Sequence, residues 1–237
     1  MNRTSIEWTT YTWNPVTGCK HGCPYCYARR LAVGRLRGRF GYGNVFEPTL
    51  HAGRLLEPLK VQKPARIFVC SMGDLMGEWV PTKWISRVID TIRDAPQHVF
   101  QLLTKNPARY TEFKWPPNVW FGTSIDGTGD SMERLAVMRD VELNWGDAVR
   151  YVSFEPLLAE ITKDPRFDLE GIDWVILGAM TGPRAQKTEP WWIVPIIDAA
   201  NQARIPLFLK DNIKMSCYRK RQEFPSATHE QAVTKYH

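Results

Sequence analysis

The sequence predicts an α/β fold, a full or partial parallel (β/α) barrel of about six to eight strands, formed by residues 1–237 as a single domain. Three observations carry that expectation. Short apolar runs recur along the chain, each ending in polar or glycine-containing sequence and followed by a stretch of helical character, as in repeated βα units. The runs are rich in β-branched and aromatic residues without strict alternation, which suits strands buried on both faces. No Gly-x-Gly-x-x-Gly follows the first run, so a dinucleotide-binding open sheet loses ground to a barrel.

A polar strand is expected at residues 10–13, and apolar strands at 67–70, 99–103, 119–122, 151–154, 174–177 and 206–209. Pro81 opens the first clear helix, with Trp84, Ile85, Val88, Ile89 and Ile92 on one face and proline at a position that needs no N–H donor. Asp130 or Ser131 can cap a second helix carrying Met132, Leu135, Ala136 and Met138. Thr188 can cap a third through residues 191–193, which Pro195 is expected to bend or interrupt.

Hydrophobic residues make up 43% of the chain, ordinary for a folded protein. No apolar run approaches the ~20 residues that span a bilayer, and the N-terminus lacks the apolar core of a signal peptide. The expected location is therefore cytoplasmic, with no membrane partner. The net charge of +6 suits an anionic partner such as nucleic acid, or serves solubility alone. An odd count of five cysteines argues for ligation or catalysis over a disulfide scaffold.

Cys19, Cys23 and Cys26 fall within eight residues, on a loop made pliable by Gly18 and Gly22. Clustered thiolates ask for zinc or iron–sulfur. Structural zinc takes four ligands, usually in two separated pairs, and this chain has no second cysteine pair. His21 could complete a zinc set, but closing a tetrahedron from between two ligands is strained. Three thiolates on a four-iron cluster instead leave one iron open to substrate or cofactor.

This Cys-x3-Cys-x2-Cys motif, with Tyr25 before the last cysteine, resembles the signature of the radical S-adenosylmethionine superfamily. The resemblance implies a barrel of that type and a 4Fe-4S cluster held by Cys19, Cys23 and Cys26. It also implies S-adenosylmethionine on the open iron, reductively cleaved to a 5′-deoxyadenosyl radical with an electron from an external donor such as a flavodoxin or ferredoxin. Tyr25 matches the aromatic that contacts adenine. Residues 71–75, 101–105, 118–122 and 154–158 are further similar to a short branch of the superfamily associated with phage and prophage. Residues 178–183 depart from that branch, where an acidic residue and a second glycine are usual.

Chemistry in a parallel barrel gathers at the C-terminal ends of the strands. Ser71 and Asp74 follow the second strand, where the superfamily contacts the cofactor amino group; Asp74 could alternatively cap a helix. Lys105 could meet a cofactor carboxylate or a substrate phosphate, or stay solvated. Ser124, with Asp126 in reserve, matches the position of a ribose contact. Glu155 lies among apolar residues, where a carboxylate is costly unless paired, so it is expected to be functional or ion-paired. Lys210 and Asp211 could pair with each other, or one could touch substrate. Cys70 reads as an inert buried thiol. Cys217, in a polar setting, is a candidate hydrogen-atom donor by analogy with the related spore photoproduct lyases.

Residues 29–43 form an expected basic loop that carries Arg29, Arg30, Arg35, Arg37 and Arg39 with no acid, interleaved with glycines and with Phe40 and Tyr42. Guanidinium groups answer phosphates and aromatics offer stacking surfaces. Arg35, Arg37 and Arg39 are therefore the candidate contacts to DNA or RNA, supported by Lys214, Arg219, Lys220 and Arg221 in a C-terminal extension from about residue 211. The alternative for this loop is solubility, or a lid over the cofactor. Modification or repair of a nucleic acid is the first reading of function. The alternatives are the same chemistry on a peptide or small metabolite, and a zinc-stabilised nucleic-acid-binding module that is not an enzyme.

Overall fold

A computed structural model describes residues 1–39, 45–144, 146–182, 185–215 and 220–226. The chain divides into two compact units. One holds Met1–Thr104 with Phe113–Val119, and the other holds Lys105–Glu112 with the described residues from Trp120 onward. Both are of the α/β class expected. Besides a two-stranded ribbon in the first unit, they carry eight strands, four in each, parallel except for the first. Among the described residues no helix is long and apolar enough to cross a membrane.

The first unit runs β1 (Asn2–Arg3), β2 (Tyr11–Trp13), β3 (Val16–Thr17), α1 (Tyr27–Val33), β4 (Thr49–Leu50), β5 (Arg66–Val69), α2 (Thr82–Arg93) and β6 (Val99–Thr104). Strand β1 pairs antiparallel with β2, which lies parallel to β5 with Trp13 opposite Val69; β5 lies parallel to β6 with Phe68 opposite Gln101. The expected faces explain the core. Trp13 is fully buried with its ring edge-on to Phe100 at 5.7 Å. Helix α2 buries Ile85, Val88, Ile89 and Ile92 as its periodicity predicts, each worth roughly 1.5–3 kcal/mol on burial. The Asn118 amide donates to the carbonyls of Ala95 and His98 just past that helix, with the Ile92 carbonyl of its last turn at 3.4 Å.

Two expectations fail in this unit. Residues 29–33, expected in the basic loop, belong to α1, because Ala28 and Ala32 are one turn apart and both buried and because Cys26 caps the helix. Cys70, expected to end a strand, stands just past β5 with φ +59°, in the left-handed region. Its N–H donates to the Trp13 carbonyl and its own carbonyl accepts from Gly73, so the chain turns sharply there.

The second unit runs β7 (Val119–Ser124), α3 (Ser131–Asp140), β8 (Arg150–Phe154), β9 (Trp174–Leu177), α4 (Pro190–Gln202) and β10 (Leu207–Leu209). These strands lie parallel in that order, with Gly122 opposite Tyr151, Phe154 opposite Leu177 and Leu207 opposite Val175. A Cβ on Gly122 would meet the Tyr151 ring at 2.2 Å, so glycine is what lets that ring lie across β7. Residues 220–226 then cover β10: Leu209 N–H donates to Arg221, Glu223 N–H donates to Leu207, and Phe224 packs on Trp174 and Phe208 at 5.3 and 5.4 Å.

The helix caps match expectation at α3 and differ at α4. Asp130 occupies the N-cap of α3 without a side-chain cap bond. Glu189, not Thr188, precedes α4; the Thr188 hydroxyl donates to the Leu157 carbonyl instead. Helix α4 continues through Pro195, whose missing N–H removes one bond without ending the helix.

Candidate functional site

The cysteine loop begins where β3, held by β4, delivers Gly18 against the turn after β5. Gly18 N–H donates to the Met72 carbonyl at 2.9 Å, and Cys19 N–H to Phe46 at 3.1 Å. This approach tolerates no side chain. A Cβ on Gly18 would meet the Glu47 carbonyl oxygen at 2.0 Å, and one on Gly73 would meet the Gly18 oxygen at 2.9 Å. At its far end the loop turns on a Cys26 N–H to Cys23 carbonyl bond, and the Cys26 sulfur accepts from Arg29 N–H at 3.3 Å to start α1.

Cys19 and Cys26 pack against a buried apolar cluster of Ala28, Ala32, Phe46 and Met72. Burial pushes the Cys19 thiol up to about 12, opposed by a backbone bond at His21 and reinforced by the charges of Asp74, Cys23 and Cys26. A thiol held neutral in this way gives up its proton to a metal.

Among the described residues no three His, Cys, Asp or Glu side chains are gathered tightly enough for one metal ion. A lone zinc draws its sulfurs to about 2.3 Å from a common point, whereas a four-iron cluster holds each thiolate on its own iron. By chemistry alone, three thiols on one short loop fit a four-iron cluster, one to each of three irons. Among the described residues the Trp79 indole N–H has no hydrogen-bond partner, and its ring lies edge-on to His21 at 4.8 Å.

The expected rim residues separate into distinct roles. In the first unit the Ser71 hydroxyl shares Asn14 and its carbonyl accepts from Tyr27 at 2.6 Å. Asp74 is buried and does not cap a helix. One oxygen accepts from His21 Nε2 at 2.8 Å; the other accepts from Met76 N–H at 3.0 Å and the Thr104 hydroxyl at 2.7 Å. Tyr25 is partly buried on the cysteine loop. The structure thus brings Ser71 and Asp74 to the loop, the latter through His21.

In the second unit Lys105 is not solvated: its ammonium donates to Asp126 at 2.6 Å. Asp126 is 2% exposed and also accepts from Thr128, with Arg134 at 3.7 Å. The Ser124 carbonyl accepts from Arg134. Glu155 is ion-paired as expected, to Lys210. Lys210 is thus taken up by Glu155, and Asp211 pairs with Lys220 at 2.6 Å.

Cys70 is buried, and burial lifts its thiol to about 12, which keeps it protonated and unreactive. Arg35, Arg37 and Arg39 are exposed beyond α1, which itself exposes Arg29 and Arg30. Phe40, Tyr42, Cys217 and Arg219 lie outside the described residues. Sequence reasoning missed Thr104, Trp79 and Arg134, because an interior hydroxyl, an aromatic in a turn and a helix arginine carry no spacing signal of their own.

A family model described as a protein of unknown function (DUF5131) matches residues 3–231. No curated protein and no solved structure matches the chain.

Proposed function

We propose that the chain, which belongs to the DUF5131 family, is a radical S-adenosylmethionine enzyme acting on nucleic acid. The observation that carries the reading is the cysteine loop itself, three cysteines at Cys-x3-Cys-x2-Cys spacing with Cys19 and Cys26 packed against a buried apolar cluster. Cys19, Cys23 and Cys26 would hold a 4Fe-4S cluster, with one iron left for the amino and carboxylate groups of S-adenosylmethionine. When bound and reduced by an external donor, the cluster supplies the electron that splits the sulfonium and releases a 5′-deoxyadenosyl radical.

The chain's own residues supply placement. Gly18 and Gly73 allow the loop to close on the turn after β5. The apolar cluster keeps water from one side of the sulfurs, which favours a soft metal group over hydrated ions. Tyr25 offers a ring for adenine. The Lys105–Asp126 and Glu155–Lys210 pairs fix both carboxylates in place through charge-assisted hydrogen bonds. The same reading takes the strands as a full or partial barrel, supported by parallel βα repeats in both units. The target class is supported by exposed arginines that begin within three residues of the last cysteine.

The test is anaerobic reconstitution with iron and sulfide, reduction, addition of S-adenosylmethionine and an assay for 5′-deoxyadenosine. Wild type should form product and Cys23→Ala should not. A protein that takes up zinc and neither iron nor sulfide would replace the enzyme reading with that of a zinc-stabilised binding module.

A further inference from the structure

We infer that His21 and Asp74 act as one positioning pair that sets the stance of the cysteine loop toward the group it binds, an inference that rests on the cluster reading above. The loop has swivels on both sides of His21, at Gly18 with φ +91° and Gly22 with φ +71°. Such a stretch samples many arrangements of its thiols unless a side chain ties it down. Two side chains stand between Cys19 and Gly22. Lys20 pairs with Glu47 where the two are 52% and 59% exposed, and solvent screens that pair. His21 turns inward, and its ring nitrogen meets Asp74 at 2.8 Å, with that carboxylate 7% exposed.

The anchor is itself anchored. The second Asp74 oxygen is held by Met76 N–H and by the hydroxyl of Thr104, the last residue of β6. The loop is therefore tied through one buried carboxylate to the end of a core strand. Trp79 backs the ring edge-on, and its indole can lie there because Gly77 has no side chain: a Cβ would meet that indole at 2.4 Å. None of these groups supplies a thiolate. They do what an outer shell does around a metal centre, fixing ligands they do not replace, and removing such a partner typically weakens metal holding about 10- to 100-fold.

The experiment uses the reconstituted full chain under anaerobic conditions and reads iron release to a chelator together with the electron paramagnetic resonance spectrum of the reduced protein. His21→Ala should release iron about 10- to 100-fold faster than wild type, with an altered spectrum and unchanged thermal unfolding of the metal-free protein. His21→Gln, whose amide still donates to Asp74, should restore slow release. Asp74→Asn keeps an oxygen for Met76 and Thr104, and added to His21→Ala it should cause no further loss, the non-additivity expected of residues acting together. Wild-type release and spectrum in His21→Ala would overturn the inference, as would a His21→Gln variant as leaky as His21→Ala. A wild type that binds no iron sinks the cluster reading and the inference with it; a normally loaded wild type beside an unaffected His21→Ala sinks only the inference.

Discussion

Gly18 and Gly22 both look, in sequence, like residues that make a metal loop pliable, yet the structure separates them. Each has positive φ, but a Cβ on Gly22 meets nothing within 4 Å, whereas on Gly18 it strikes the Glu47 backbone. Gly18→Ala should therefore cost roughly 3 kcal/mol by urea unfolding, clash added to a left-handed backbone. Gly22→Ala should cost only about 1 kcal/mol, the left-handed penalty alone. Equal losses at the two positions would show that close approach contributes nothing. At this scale the three cysteines were legible because metal ligands leave a spacing. Asp74 was legible as a candidate, but its tie to His21 was not, because a hydrogen bond across 53 positions leaves no local pattern.

Strands β5 to β10 were legible as elements because their apolar runs are buried and stand out from the polar sequence between them, whereas β1, β3 and β4, two residues each, leave no run to read. Helix α1 was not, since only Ala28 and Ala32 of its residues are buried and its cap is a cysteine. The segment covering β10 was also missed, because its pairing and its packing arise from contacts with residues far back in the chain. Trp174 Nε1–H donates to the Glu223 carbonyl at 2.8 Å while Phe224 lies against the same indole. Phe224→Ala should lower stability by roughly 2 kcal/mol, less than for a fully buried phenylalanine because the ring is only partly covered. Chemical unfolding would measure this, and an unchanged midpoint would mean the segment lies on β10 without holding it.

For the chain as a whole, the fold class follows from repetition of βα units, but the division into two units leaves no compositional trace. The chain passes between them near residues 104, 112 and 119, at or beside ordered elements and not through a glycine- or proline-rich linker. Charge acts at the same scale. The net +6 and the arginines around α1 favour a polyanion. Replacing Arg35, Arg37 and Arg39 together by Ala should weaken binding to single-stranded nucleic acid. It should also flatten the dependence of log K on log salt by about 2, at roughly 0.7 for each phosphate no longer neutralised. An unchanged slope in a binding titration across salt concentrations would remove nucleic acid from the reading and leave a peptide or metabolite as the target.

Cys26 closes the cysteine loop and, through its sulfur, begins α1. An α-helix advances about 1.5 Å and turns about 100° with each residue, so the helix is a ruler whose zero mark is a sulfur atom. Arg29 and Arg30 are its first charged graduations. Any anion that met them would lie within a single turn of the loop's last thiol, and one inserted residue would swing every later mark to a different bearing.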